Sequence, residues 1–336
     1  MKSKEGKCVR PLWKDILIAL FLGMVLPAVV VQTAIRLDHR DRGEVGHMLM
    51  PTDTAETLPE VKLTMLLKQA DGTVAETDLD EYLLSVVLAE MPTSFEKEAL
   101  KAQAVVARTY TLKALQTGGK HGDGSVCRDS SCCQAYISLE DYRAGGGREE
   151  DIEKVRAAVL ETSGYVLTYE GGLIEATYFS CSGGSTEDAV AVWGTDLPYL
   201  RATASPGEEG AVHFTDTVYL SKKQVEDALG VTLSSDHDRW VGYATYTAGG
   251  GINTMQIGGK EFKGTELRKL LGLRSTAFTV SADSEGITVV TRGFGHRVGM
   301  SQYGADAMAA SGSTYEQILA YYYKGTALER YMSAGD

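Results

Sequence analysis

Apolar positions along this chain fall into one unbroken run, several stretches with a helical period and several that alternate. The run is residues 16–35, ILIALFLGMVLPAVVVQTAI, 20 residues without a charged side chain. That is about the length a helix needs to span the hydrocarbon core of a bilayer, and Pro27 is tolerable inside such a helix. A basic segment ahead of an apolar run also describes a cleavable secretion signal. This run is longer than the roughly 7–15 residues of a signal core, and no clear small-x-small site ends it. The expectation is an uncleaved transmembrane helix over 16–35. Basic residues crowd its N-terminal flank, whereas Arg36, Arg40 and Arg42 beyond it are interleaved with Asp38 and Asp41. By the positive-inside tendency, residues 1–15 form a cytoplasmic tail and the body of the chain lies outside the cell. Residues 36–58 are polar, lack an apolar period and read as a linker.

From residue 59 to residue 336 the patterning is that of a globular ectodomain. Helical periods predict helices at 80–90, 96–115, 151–161, 221–229, 264–271, 301–311 and 314–323. Alternating or β-branched stretches predict strands at 61–67, 166–169, 174–180, 214–220, 255–257, 278–282 and 287–291, with a turn at 69–73 and a loop at 145–147. Strands and helices do not take turns as they do in a doubly wound sheet, so the fold class is α+β. The expected form is a two-lobed ectodomain of small antiparallel sheets with a helical region, and a second lobe has room at about residues 210–290.

Composition narrows the class of function. The chain has 336 residues, 43% of them hydrophobic and 23% charged, which suits globular structure. Its 45 acidic residues outnumber 33 basic ones, and the N-terminal 35 residues are net basic, so the body is more acidic than the whole. Such a body argues against nucleic acid as a partner. Five cysteines are too few for a disulfide scaffold of this length, and Cys8 falls on the cytoplasmic side of the predicted anchor.

Segment 80–92, DEYLLSVVLAEMP, reads as a short apolar helix. Asp80 is placed to cap it, and Pro92 ends it near Met91. Glu90 then sits in the last turn, where carbonyl dipoles disfavour a negative charge. With apolar neighbours, both effects favour a protonated carboxyl suited to general acid work. An exposed Glu at a frayed helix end has the same spacing, so the pattern alone leaves both readings open. Thr93-x-x-Glu96 fits a capping box for the next helix. On that helix Leu100, Ala104, Arg108 and Leu112 share one face. Arg108 is therefore expected inside, in need of an acceptor, with Glu90 one candidate partner and a purely structural pair the alternative. Ala99, Ala102, Ala104 and Ala107 allow the two helices a close approach.

The stretch AEMPTSFEKEALKAQAVVARTY closely resembles the stage II sporulation protein D family. The resemblance continues in YFSCSGGSTED, WGTDLPYL, FKGTELRKLLGLRSTAF and GFGHRVGMSQYGADAMAASG, and covers about residues 60–330 in the family's order. It implies a membrane-anchored lytic transglycosylase that cleaves peptidoglycan glycan strands stripped of their stem peptides, during engulfment of the forespore. The implied place is the engulfing membrane of the mother cell, with the catalytic domain extracytoplasmic. The implied partners are stage II sporulation protein P, an amidase, and stage II sporulation protein M, a membrane scaffold. A homodimer is left open. Chemically, one carboxyl suffices: it protonates the glycosidic oxygen, and the 6-hydroxyl of the same muramic acid attacks to leave a 1,6-anhydro end. A hydrolase of the usual kind needs two. Glu90 matches the family's catalytic glutamate. Lys101 and Arg108 match basic positions that could hold the muramic lactyl carboxylate.

One His and three Cys lie within 13 residues, His121, Cys127, Cys132 and Cys133. A disulfide from Cys127 to Cys132 or Cys133 is one reading, and tetrahedral zinc is the other. Clostridial members of the family carry a His/Cys zinc site with this spacing, which favours a structural zinc held by all four. Four protein ligands would close the site, unlike a metallo-amidase, which needs an open position for water.

In the family the loop 180–184 borders the substrate groove, which makes Ser180 and Ser182 candidate sugar contacts. On its own it reads as a glycine turn after a strand, with Cys181 a lone thiol. Tyr199 and Arg201 match positions thought to matter in the family, although a Tyr is more often core. GFGHRVGMSQYG is Gly-rich without the lysine pattern of a phosphate loop. It offers His296 and Gln302 as substrate groups, against a buried, satisfied His. Arg297 stands where the family often has Gly. Met300, Tyr303 and the Tyr321, Tyr322, Tyr323 run read as packing. The competing function is a non-catalytic glycan-binding activator of a cell-wall amidase, since a vegetative relative in the family activates an amidase.

Overall fold

The computed structural model describes residues 63–331. The predicted cytoplasmic tail, transmembrane helix and linker lie outside the described residues, as does Cys8. Among the described residues no helix is long and apolar enough to cross a membrane.

The chain enters on a hairpin, β1 (Thr64–Lys68) and β2 (Val74–Asp78), and passes directly into helix α1 (Leu79–Glu90). Asp78 caps α1, accepting from the N–H groups of Asp80 at 2.9 Å and Glu81 at 3.1 Å. The expected cap Asp80 lies two residues further on, inside the first turn, and pairs with Arg108 instead. Leu79, Leu83, Val86 and Val87 carry α1 into the core, and Pro92 stops it, leaving Met91 as its extended C-cap.

Helix α2 (Lys97–Gln116) folds back beside α1. Lys154 ties the intervening turn by donating to the carbonyls of Thr93 at 2.7 Å and Phe95 at 2.6 Å. The predicted capping box does not form. Glu96 is the N-cap without a side-chain bond, and its N–H goes to Asp306 Oδ1 at 2.7 Å. A distant carboxylate outcompetes the local Thr93 hydroxyl for that donor. Ala99, Ala102, Ala104 and Ala107 are all buried, which lets α2 sit at the centre of the main core. Strand β3 (Val126–Cys127) joins β1 in parallel. Helices α3 (Leu139–Ala144) and α4 (Glu149–Glu161) follow, and α4 packs against both α1 and α2. Next come strand β4 (Tyr165–Tyr169) and the short strands β5 (Gly172–Leu173) and β6 (Tyr178–Phe179), then helix α5 (Ala189–Trp193). The strand predicted over 174–180 is only two residues long.

A second apolar core, around Trp240, Phe262, Ile287 and Val289, belongs to the stretch from β7 to β12. It consists of β7 (Thr215–Ser221), α6 (Lys222–Leu229), β8 (Val241–Tyr246), β9 (Ile252–Ile257), β10 (Lys260–Lys263), α7 (Gly264–Leu270), β11 (Ala277–Ala282) and β12 (Gly286–Arg292). The strands form two antiparallel sheets, ordered β10-β9-β8 and β11-β12-β7. Here the Ser221–Gln224 capping box does start α6. Gly264 has no room for a side chain, because a Cβ would meet the Ile252 carbonyl at 1.9 Å.

The chain then returns to the main core. Strand β13 (Met300–Ser301) pairs in parallel with β6, helices α8 (Gln302–Ala310) and α9 (Tyr315–Tyr322) pack on α2, and β14 (Ala327–Arg330) closes a sheet ordered β14-β4-β5. The fold is mixed α+β with small, mainly antiparallel sheets.

Candidate active site

Where α1 ends, the β6–β13 pairing and the loop 120–135 leave a cleft of about 880 Å³. Glu90 lies in its wall, partly buried, and its Oε1 accepts from the Ala135 N–H at 2.8 Å. That bond fixes the direction of the carboxylate. Glu90 is the one acidic residue among the described residues that line the cleft.

Tyr178 of β6 lies beside Glu90. Burial first, then the charge of Glu90, holds its hydroxyl well above the usual tyrosine range, so it stays a neutral donor. It donates to Gln134 Oε1 at 3.0 Å, and Gln134 Nε2 donates to Thr111 Oγ1 at 2.9 Å. This chain of bonds fixes the cleft floor to α2. Opposite stand His296, Trp193 and Phe294, with the His296 ring 5.2 Å from Trp193 and 5.6 Å from Phe179. Trp193 is 43% and Phe294 38% exposed, so large aromatic faces are available to a ligand. Burial, with help from Arg268, pushes the His296 imidazole down to about 4. Its Nδ1 accepts from the Val298 N–H at 3.2 Å, which puts the proton of the neutral ring on Nε2. Gln302, 5% exposed, presents an Nε2 with no partner within the protein. Such a donor gains a bond if a ligand supplies an acceptor.

Of the side chains singled out in the sequence, the cleft gathers Glu90, Ser180, His296, Gln302, Cys132 and Cys133. It leaves out five. Arg108 is fully buried and pairs with Asp80 at 2.9 Å, not with Glu90, and donates to the carbonyls of Val159, Thr162 and Tyr165. Lys101 is engaged by Glu98 at 2.9 Å and Glu161 at 3.8 Å and lies over the Tyr315 ring. Neither lines the cleft, and both are engaged by carboxylates within the protein. Ser182 is buried and donates to Glu208 Oε1 at 2.9 Å. Tyr199 is core, its hydroxyl accepting from the Glu175 N–H at 3.1 Å. Arg201 pairs with Asp196 at 2.7 Å. The sequence reading passed over Trp193, Phe294, His213, Tyr110, Lys120 and Gln134, all of which line the cleft. An aromatic left in a polar stretch, as Trp193 is in WGTDLPYL, was the available signal for one of them.

His121, Cys127, Cys132 and Cys133 converge on the loop that supplies Ala135. Their ligand atoms all lie within 4.8 Å of one another. Cys132 Sγ is 3.8 Å and Cys133 Sγ 3.9 Å from His121 Nε2, and the two sulfurs are 3.9 Å apart. Ligand sulfurs around tetrahedral zinc at about 2.3 Å stand about 3.8 Å from each other. All three cysteines are free thiols rather than a disulfide. Burial pushes the Cys133 thiol up to about 12, a neutral state that a bound cation would reverse. This His/Cys cluster could bind a metal, and its donor set and spacing fit zinc.

Comparison with known proteins yields consistent matches. A family model described as "Stage II sporulation protein" matches residues 68–169. "Stage II sporulation protein D" of Bacillus subtilis (strain 168) is 39% identical over 278 residues, covering 81% of this chain and 80% of that protein. Its counterpart from Bacillus amyloliquefaciens is 37% identical over 289 residues, covering 84% of this chain and 83% of that one. An "Amidase enhancer" of Bacillus subtilis (strain 168) is 31% identical over 305 residues, covering 74% of this chain and 40% of the longer protein.

Proposed function

The chain belongs to the stage II sporulation protein D family, a membership that supports a role at the cell wall in sporulation, and from that premise we propose that it is a lytic transglycosylase acting on peptidoglycan strands stripped of stem peptides. The observation that carries the reading is a single carboxylate, Glu90, in the wall of an aromatic-lined cleft of about 880 Å³ with no second acid among its described lining residues. Hydrolases of glycosides place a second carboxylate about 5–10 Å away to attack or to activate water. A lytic enzyme draws its nucleophile from the sugar itself. Glu90 protonates the glycosidic oxygen as the bond to muramic acid C1 breaks. Its carboxylate then takes the proton of the 6-hydroxyl as that oxygen bonds to C1, and the acid is restored with a 1,6-anhydro end. The Ala135 N–H orients the carboxyl, and Tyr178, kept neutral, supplies a hydroxyl beside it.

The same proposal includes a structural zinc on His121, Cys127, Cys132 and Cys133, which would pin the loop that supplies Ala135 and take no part in the reaction. It includes an anchor at 16–35, an extracytoplasmic catalytic domain on the engulfing membrane, and assembly with stage II sporulation proteins P and M. The likeness to an amidase enhancer favours a second reading, a glycan-binding activator of an amidase. Mass spectrometry separates the two. Wild-type protein on stripped glycan is expected to leave anhydromuramic ends, and Glu90→Gln to lower their rate at least 100-fold. Anhydro ends formed at full rate by Glu90→Gln would remove the proposed catalyst, and none from wild type would favour the activator.

A further inference from the structure

Resting on the reading of the cleft as a peptidoglycan site, we infer that Lys120 reads the free lactyl carboxylate of the muramic acid held beside Glu90. Other cations in the neighbourhood are spent, silent or outside the cleft lining; Arg268, whose charge acts on His296, is of the last kind. Arg108 and Lys101 are paired away from the cleft. Arg201 is bound to Asp196, and Arg274 reaches Asp216 at 3.0 Å while donating to His213 Nδ1. His296 is uncharged at neutral pH. Lys120 alone combines a permanent charge with a place among the described cleft-lining residues.

Its ammonium is held, not loose. Nζ donates to Tyr110 Oη at 2.6 Å and to the Cys132 carbonyl. An ammonium has three N–H groups, the side chain is exposed, and so a third donor is free. The two existing bonds hold the ammonium in place, which lowers the entropy lost on binding an anion. Tyr110 Oη, accepting from Lys120, keeps its own proton to donate. Lys120 and Glu90 also grip the same short segment, at the Cys132 carbonyl and the Ala135 N–H. Three residues of chain span at most about 10 Å, the scale of a disaccharide. Both groups border the same side of the cleft, so a muramic acid placed with its glycosidic oxygen at Glu90 can turn its lactyl arm toward a fixed cation. A stem peptide converts that carboxylate to a neutral amide and adds bulk, so the contact discriminates between stripped and substituted strands.

The test measures binding in a Glu90→Gln background, where strands stay intact. The ligands are stripped glycan strands, the same strands with lactyl carboxyls converted to methyl amides, and chitin oligosaccharides of equal length. The protein carrying Lys120 is expected to bind stripped strands about three- to tenfold tighter than amidated ones, the range for one charge-assisted contact at a partly exposed position. Lys120→Met should erase that difference, binding both like amidated strands, and leave chitin binding unchanged. Lys120→Arg should keep it. A Lys120→Met protein that weakens all three ligands equally, with a lower melting temperature, would reveal a mere strut for the Cys132 loop and overturn the inference. Undiminished discrimination in Lys120→Met would overturn it too. If discrimination follows Lys120 while wild-type protein leaves no anhydromuramic ends, the catalytic proposal fails and the carboxylate reader stands.

Discussion

Arg108 and Glu90 sit on adjacent helices and use their charge in opposite ways. Arg108 gives its guanidinium to Asp80 and to carbonyls at the C-terminal end of α4, locking α1, α2 and α4 together. Replacing it leaves those acceptors facing an apolar side chain in the core. Arg108→Met is expected to lower unfolding free energy by about 2–4 kcal/mol, read by chemical denaturation. Glycan affinity of the remaining folded protein should hold, and a stable Arg108→Met protein that has lost glycan binding would reinstate Arg108 as a substrate contact. The apolar face of α2 predicts from sequence that this side chain is inside, but not its partner. Asp80 could be read as a cap just as well, because Asp78 and Asp80 both precede the apolar run, and only tertiary packing assigns one to the backbone and the other to Arg108.

At the level of elements, the loop 120–135 does the most with the least regular structure. It carries the four soft ligands, the Lys120 ammonium and the N–H that aims Glu90. Metal binding there should therefore be visible at the acid. A chelator, or Cys133→Ser, is expected to lower the melting temperature by several degrees and to speed hydrogen exchange at the Ala135 amide. An unchanged melting temperature in protein shown to have lost its metal would argue against a structural site. Helices with a strong apolar period, such as α1, α2 and α4, were legible within two residues of their ends, and so were the branched strands β11 and β12. The short pairings β3 and β13 were not, and β6 only as part of a longer run, because two residues carry no period. Their pairing depends on neighbours far along the chain. The cleft followed the same rule. Glu90 was marked by the proline that ends its helix, while Lys120 and Phe294 sit in loops whose placement no local pattern encodes.

For the molecule as a whole, the joint between the two apolar cores rests on a buried pair. Arg297 has a positive φ of 66°, a conformation that favours glycine. It is held there by Glu187 Oε1 at 3.0 Å and by the carbonyls of Ser182, Ser185 and Gly249. Glu187 Oε1 also accepts from Thr247 at 2.8 Å and from the Gly251 N–H at 3.0 Å. The pair thus staples the β8–β9 turn to the loops behind the cleft. Arg297→Met and Glu187→Gln are each expected to destabilise by about 3–5 kcal/mol, and the double variant by clearly less than their sum. Additive losses in a thermodynamic cycle would show that the two side chains act independently.

Glu90 and the opposite wall of its cleft, Phe294 to Gln302, stand some two hundred positions apart in the chain. Domains tend to fold from the N-terminal end as they emerge from synthesis. The helix bearing the acid is therefore complete long before the β6–β13 pairing can close the trough in front of it. If Glu90 is the proton donor proposed above, a chain made only as far as residue 290 would hold the acid and no closed cleft for a sugar, and the proposed activity would wait for residues 294–302.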